Sequence, residues 1–353
     1  MKKLSVIGIC ILTPLFLWSN ESKKIEVATA KLTAHFPQQS IYFKTLPKIA
    51  VDKEGLIYAV DNREHTVFKF NRDGELLANF GRWGQGPGEL QWPANISVDK
   101  STGLIFVKDN SGIVMYDPQG SFIRRVRTFT GILNFDAAHG RIAVLEPIPG
   151  KQDLIGLYDY QGQRINSIGQ KYDLDYSLSK EIAPGLLDRI ANDGAALFDG
   201  NYVYYVSYLF GEIRVYDLSG LLILEKKLSG PGNLEKYREQ YRKIFFEKGV
   251  KKNSDGTVTN WRIFGDACLD RGYLYLLMLG YVTGDVYEVL VVDKKSLEIR
   301  ERIILPDSIY PEMVRAMPSN EKNSISFAVS FQSKTNGAFM VGIFQKYKKE
   351  GLR

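Results

Sequence analysis

A short apolar–turn–apolar pattern recurs five times along the chain. Each copy has alternating apolar residues, then a polar turn, then a second apolar stretch, and the turns begin at Asn71, Asp117, Asp159, Asp217 and Asp293. Alternation with a period of two predicts β-strands. A glycine three residues after four of these anchors supplies the positive φ that a tight hairpin needs. The pattern therefore predicts five copies of one β-hairpin, the first three spaced by 46 and 42 residues.

A second pattern precedes each hairpin and completes the repeating unit. It is a strand, a turn and a strand rich in Tyr, Val and Ile, as in KIAVDKEGLIYAVD at 48–61. Four antiparallel strands repeated every forty-odd residues are typical of a propeller blade. Five complete units can be counted, and 324–348 contributes one more hairpin of long strands. We expect the strand-like segment at 23–32 to complete that last blade, which predicts an all-β, six-bladed propeller closed by its N-terminal strand.

The run from Lys48 to Val126 resembles the NHL-repeat family of six-bladed propellers. It contains Phe80-Gly81, a glycine-rich spacer at 84–88, Pro93 and the strand Ile96-Ser97-Val98-Asp99, besides Val60-Asp61, His65 and the hairpin strand 67–70. Glu64 stands where the family usually has Asn before the histidine. The resemblance covers roughly 80 residues. It implies the propeller fold and a structural histidine beside a blade turn.

The first nineteen residues have the features of a secretory signal peptide. Lys2 and Lys3 precede an apolar run from Leu4 to Trp18, which is short for a membrane span, and polar residues begin at Ser19. Cleavage after Ser19 is expected, with an uncleaved membrane anchor as the alternative. The sequence thus predicts a periplasmic or extracellular protein, with a single domain at 23–353.

Composition narrows the classes of function. The net charge of +6 is mild, and no element carries clustered Lys and Arg, so we expect no nucleic-acid partner. Only Cys268 lies outside the predicted signal peptide, so no intramolecular disulfide is expected in the mature chain. The GxGxG run at 84–88 is followed by Pro93 and a strand rather than a helix, which does not fit a nucleotide-binding loop.

Strand counting predicts that three long spacers, at 169–190, 230–261 and 306–320, are crossings between blades. In a propeller such crossings lie on the same face as the turns between the second and third strands. Insertions that collect on one face of a repeat protein are typical of its binding face. The segment 233–249 has an apolar stripe at helical spacing and is predicted to be an amphipathic helix that begins after Asn233 and ends at Gly249.

These observations favour a monomeric binding or scaffold module whose ligand is a protein, a peptide or a glycan. Aromatic and arginine side chains suit such ligands. Trp92 is expected to be buried between blades, whereas Trp83 is expected to be an exposed ligand contact. The candidate ligand-binding residues on the elaborated face are Asp61, Arg63, Arg82, Trp83, Lys108, Arg238, Arg242 and Trp261.

The alternative is a metal-dependent hydrolase or lyase with its site at the propeller axis. Some six-bladed propellers are lactonases or amidating lyases, and polar residues near the start of the inner strands could hold Ca²⁺ or another divalent ion. The candidates for such a site are Asn95, Asn134, Asn192 and Asp266. No cofactor other than this ion is expected, and no catalytic residue is assigned. The membrane is a partner only if the N-terminal segment is retained.

Overall fold

A computed structural model describes residues 25–37, 42–127, 134–148, 150–230, 232–259, 261–283, 286–318 and 325–347. The described strands form a β-propeller, as the sequence predicts: four blades are separate four-stranded antiparallel sheets, and the last two are joined into one eight-stranded sheet. The first three blades are β2 (Lys48–Val51), β3 (Ile57–Asp61), β4 (Thr66–Phe70) and β5 (Leu76–Phe80); β6 (Asn95–Val98), β7 (Ile105–Asp109), β8 (Gly112–Tyr116) and β9 (Phe122–Val126); and β10 (Asn134–Ala138), β11 (Arg141–Leu145), β12 (Asp153–Asp159) and β13 (Arg164–Gln170).

The other three blades follow in chain order, except that the last takes its outer strand from the beginning of the chain. They are β14 (Gly194–Phe198), β15 (Tyr202–Ser207), β16 (Glu212–Asp217) and β17 (Leu222–Lys227); β18 (Phe264–Asp270), β19 (Tyr273–Met278), β20 (Glu288–Asp293) and β21 (Ile299–Ile304); and β22 (Ile309–Met317), β23 (Ser326–Ser333), β24 (Phe339–Tyr347) and β1 (Glu26–Phe36).

The N-terminal strand closes the ring, as the sequence predicts. β1 pairs antiparallel with β24 from Thr29↔Tyr347 to Phe36↔Val341. Its first residues also pair in parallel with β21, from Glu26↔Glu301 to Thr29↔Ile304. β1 therefore hydrogen-bonds to the outer strand of the fifth blade as well as completing the sixth, and it covers strand edges that would otherwise be exposed.

The five predicted hairpins join the third and fourth strands of the first five blades. In the second blade, Gly120 N–H donates to the Asp117 carbonyl at 3.0 Å, and the Asp117 carboxylate accepts from Ser121 N–H at 2.8 Å. Gly120 has φ +89°, so the turn requires the left-handed conformation there. In the fifth blade the turn is one residue longer and Leu297 takes that conformation instead, with φ +53°.

Two of the three expected insertions are present, and they contain more helix than expected. The helix α1 (Pro184–Ala191) follows β13, and α2 (Leu234–Lys243) follows β17 and continues into a π-helical turn at Ile244–Lys248. The predicted start and end of the second insertion's helix agree with the structure, since Gly249 has φ +80°. A short helix α3 (Gly280–Thr283) lies between β19 and β20.

The third expected insertion, at 306–320, is wrong for most of its length. Residues Ile309–Met317 form β22, the inner strand of the sixth blade, and pair with β23. Pro311 and Glu312 are more typical of a loop than of an inner strand. Pro311 lies at a register shift, where a missing ladder donor is tolerated. The two insertions that remain both cross between blades, on the face predicted to be elaborated.

The core consists of the apolar faces of neighbouring blades packed against each other. Its largest cluster joins the third, fourth and fifth blades to both insertions, and includes Phe210, Tyr241 and Phe245. Cys268 is a free, buried thiol. Among the described residues, no helix is both long enough and apolar enough to cross a membrane. The predicted signal peptide lies outside the described residues.

Candidate functional site

Three aromatic side chains meet on the elaborated face, and we call them the aromatic platform: His65, Trp83 and Trp92. The ring centroids are 4.5 Å apart for His65 and Trp83, 5.3 Å for His65 and Trp92, and 5.7 Å for the two tryptophans. Trp83 is 53% exposed and Trp92 is 48% exposed. The expectation of a buried Trp92 is therefore wrong, and the expected exposure of Trp83 is confirmed.

The platform is held by the crossing between the first and second blades, residues 81–94. Leu90 is fully buried, and its N–H donates to the Arg82 carbonyl at 2.8 Å. Arg125 donates to the Glu89 carbonyl at 2.6 Å. Gly84 has φ +154°, and a Cβ at this position would lie 1.9 Å from a Glu89 carboxylate oxygen. The glycines thus allow a compact loop that these hydrogen bonds pin to its neighbours.

His65 lies in the turn between the second and third strands of the first blade. Trp92 N–H donates to His65 Nδ1 at 3.3 Å. Both residues have left-handed backbones, with φ +55° for His65 and +53° for Trp92. Such conformations are uncommon outside glycine and are concentrated at functional sites. Burial lowers the pKa of His65, although the charges of Asp61 and Glu64 act in the opposite direction, so the neutral ring is favoured.

Asp61 is fully buried and positions the platform instead of contacting a ligand. Its carboxylate accepts from Thr45 N–H at 3.1 Å, Thr45 hydroxyl at 3.0 Å and Arg63 N–H at 2.9 Å. A carboxylate at the end of a strand, here the second strand of the first blade, satisfies the backbone donors of the turn that follows it. The prediction of Asp61 as a direct ligand contact is therefore wrong.

Arg63 and Arg82 are exposed beside the platform, as a ligand-binding role requires. Arg82 makes an ion pair with Glu89, with Nη2 2.9 Å from the carboxylate oxygen. Lys108 is half-buried on β7. Burial lowers the pKa of Lys108, the Asp109 charge raises it, and the nearby Arg189 charge lowers it, with a net decrease. The ligand-binding roles of Arg63, Arg82 and Lys108 stay predictions.

The three candidates in the second insertion serve packing. Arg238 is buried, and its Nε donates to the Phe210 carbonyl at 2.7 Å while Nη2 donates to the Leu228 carbonyl. Arg242 pairs with the buried Glu212 at 3.2 Å. Trp261 contacts Phe245 edge-on, with centroids 5.6 Å apart. Strand ends beneath the helix leave carbonyls that need donors, so Arg238 does not face a ligand, contrary to expectation.

The four candidate metal ligands have different surroundings, and their role in holding an ion stays a prediction. Asn95 Oδ1 accepts from Ile96 N–H at 2.8 Å, and Asn192 Oδ1 accepts from Tyr172 N–H at 3.0 Å. Asp266 pairs with Arg315, which brings a positive side chain to the position that a cation would need. Asn134 lines a cavity at the axis. In the described parts of the chain, no group of three or more His, Cys, Asp or Glu is placed to hold a metal ion.

Comparisons with known proteins support the propeller fold. The sequence model of DUF5128, a family described as a 6-bladed beta-propeller, matches residues 38–135. The chain is thus a β-propeller. That match covers the first two blades, including the platform. The finer resemblance to NHL repeats stays a prediction. No curated protein matches the sequence.

Solved structures of similar fold share little sequence with this chain. BF0058 of Bacteroides fragilis, described as a candidate exported protein, is 12% identical with a TM-score of 0.51, over 92% of this chain and 99% of its own. U3-55K is 10% identical with a TM-score of 0.50, over 90% and 99%. Virginiamycin B lyase of Staphylococcus aureus is 13% identical with a TM-score of 0.46, over 91% and 89%. At such identities the likeness shows the fold alone.

Proposed function

We propose that the protein is an exported binding module, a single propeller domain that docks a peptide segment or a glycan on its aromatic platform. The observation that carries this proposal is the pair of half-exposed tryptophans on a pinned loop. Buried aromatic anchors provide most of the energy of many interfaces. A ring that is already held in place loses little entropy when a ligand covers it, so the platform is preorganised for binding.

Ligands with an apolar face and hydrogen-bonding edges fit the chemistry around the platform. Sugar rings and peptide segments both have this character, and the exposed Arg63 and Arg82 would supply donors at the margin. Export rests on the apolar run that follows Lys2 and Lys3. In an exported protein, extracellular glycans and peptides are the accessible partners.

Peptide and glycan arrays probed with labelled protein would test the proposal. We expect retention on one class of array that falls at least tenfold when Trp83 and Trp92 are both changed to Ala. The control is Tyr310→Ala, which removes another half-exposed aromatic ring, in the sixth blade, that does not belong to the platform. Equal retention by the double variant and the wild type would contradict the proposal.

The alternative that the sequence predicts is a metal-dependent hydrolase or lyase at the axis. Three of its expected ligands already have partners, since Asn95 and Asn192 bind backbone donors and Asp266 binds Arg315. We therefore make binding on the platform the proposed function.

A further inference from the structure

A cavity of about 470 Å³ lies on the propeller axis, away from the platform. Its walls come from the inner strands of the blades and from the turns after them, including Ser101, His139 and Gly272. Those turns join first to second strands, so they lie on the face opposite to the elaborated one. Small-molecule sites in proteins have volumes of roughly 300–1,000 Å³. The axial cavity is therefore large enough for a small metabolite.

A fixed arginine lies inside the cavity. Arg315 Nη1 donates to the Val314 carbonyl at 2.7 Å and to the Asp266 carboxylate, which also accepts from Val314 N–H at 2.8 Å. Throughout the described ranges, Nε and Nη2 of Arg315 have no hydrogen-bond acceptor. The guanidinium is thus anchored through one nitrogen and keeps donors for a ligand. A carboxylate is the group that a guanidinium fork binds best.

An aspartate without an ionic partner lies near this arginine. Asp136 accepts from Ser97 hydroxyl at 2.7 Å through Oδ1 and from Phe198 N–H at 3.0 Å through Oδ2. It lines the cavity and keeps partial exposure to it. No Lys, Arg or His nitrogen of the described residues lies within 4.0 Å of its carboxylate. Burial raises its pKa, while the Arg315 charge lowers it, so a cationic group beside it would relieve the cost of burial.

We propose that the axial cavity binds a small zwitterion, a free amino acid or a dipeptide, with its carboxylate on Arg315 and its ammonium group on Asp136. The cavity offers the unused N–H donors of Arg315 and, on Asp136, a carboxylate without an ionic partner, which together complement a zwitterion. Val51, Val98 and Ala316 provide apolar wall for a ligand side chain.

The charges at the cavity mouth already have partners. Lys100 pairs with Asp270 at 2.6 Å, and Lys294 pairs with Asp199 at 2.7 Å. Arg271 lies 3.7 Å from the same Asp270, and the Asp99 carboxylate accepts from the Ser101 and Thr102 hydroxyls. The charged groups at the mouth are therefore occupied, and selection between ligands falls to Arg315 and Asp136.

The first test uses the wild-type full chain and changes only the ligand. Isothermal titration with the standard amino acids and diglycine is expected to show at least one that binds at millimolar concentration or tighter. The N-acetyl and methyl-ester derivatives of that amino acid each lack one charge. Each should bind at least tenfold more weakly, because a charged hydrogen bond is lost at either end. No binding by any amino acid or diglycine, or equal binding of the derivatives, would overturn the proposal.

The second test changes the protein. Asp136→Asn keeps the acceptor for Ser97 and removes the negative charge. It should therefore weaken binding of the free amino acid at least tenfold and leave binding of the N-acetyl derivative unchanged. Asp307→Asn is the matched control, because Asp307 is exposed and lies outside the cavity lining, and it should bind the amino acid like the wild type. If Asp136→Asn does not fold, the binding of the N-acetyl and methyl-ester derivatives to the wild type still tests the proposal. Loss of array binding at the platform has no bearing on either result, so the two proposals fail separately.

Discussion

At the scale of single residues, His65 contacts both tryptophans of the platform. Its Nδ1 accepts from Trp92 N–H only while the ring is neutral. Its pKa lies below the ordinary value of about 6.5, chiefly because of burial. The folded state therefore favours neutral His65. The stability that neutral His65 contributes is fully present above the pKa that His65 has in the unfolded chain. It is lost as the pH falls through the lower pKa that His65 has in the folded protein.

We expect ligand retention at the platform to fall when the pH is lowered below that pKa. His65→Asn keeps a side-chain acceptor and tolerates the left-handed backbone, but it does not titrate. Retention measured across pH 7 to 5 should decline for the wild type and stay level for this variant. A decline of equal size in both would show that His65 is not the titrating group.

Arg238 provides a second residue-scale prediction, about stability. Arg238→Leu would leave the buried carbonyls of Phe210 and Leu228 without their donors. An unsatisfied buried acceptor costs about 1–3 kcal/mol, so the free energy of unfolding should fall by about 2–4 kcal/mol. Lys236→Ala, on an exposed position of the same helix, should change it by less than about 0.5 kcal/mol. Urea unfolding measures both, and equal values would contradict the structural role.

At the scale of elements, sequence patterns predicted hairpins well and predicted segments with non-local partners poorly. The Asp-x-x-Gly turns carry their own local hydrogen bonds, so Asp117 and Gly120 could be assigned from the sequence. β22 could not, because its ladder forms with distant residues and tolerates Pro311 at a bulge. The helix α1 had a signal that was missed, since Pro184 suits a first turn and Leu187 and Ala191 recur at helical spacing.

The candidate site shows the same limit. Exposed Trp83 could be predicted from its loop, but the positive φ of Trp92 and its contact with His65 depend on how two blades meet. Periodicity placed Arg238 on α2 but could not show the strand carbonyls beneath it. Arg315 lies in β22, so its place at the axis could not be predicted from the sequence for the same reason.

The closing strand β1 carries an element-scale prediction. Ala30 is buried on β1, whereas its neighbour Thr29 is exposed. Ala30→Asp would bury a carboxylate without a partner and should lower the free energy of unfolding by about 2–5 kcal/mol. Thr29→Asp is the matched control and should have little effect. Calorimetric or urea unfolding that shows no difference between the two variants would contradict closure through β1.

At the scale of the whole molecule, the propeller separates two sites. The platform lies on the face with the inter-blade crossings, and the axial cavity opens on the other face. The chain enters β1 at the end that lies beside the C-terminal end of β24. This end of the outer strands is joined by the hairpin turns, away from the crossings. A retained N-terminal anchor would therefore leave the platform facing away from the membrane.

The central claim, that a ligand covers the platform, can be tested by ¹⁹F NMR on protein labelled with fluorotryptophan. The described residues contain Trp83, Trp92 and Trp261, and the last is an internal control because it packs in the second insertion. Adding a ligand found on the arrays should shift or broaden the Trp83 and Trp92 resonances and leave Trp261 unchanged. Movement of Trp261 alone, or of no resonance at saturating ligand, would contradict binding at the platform.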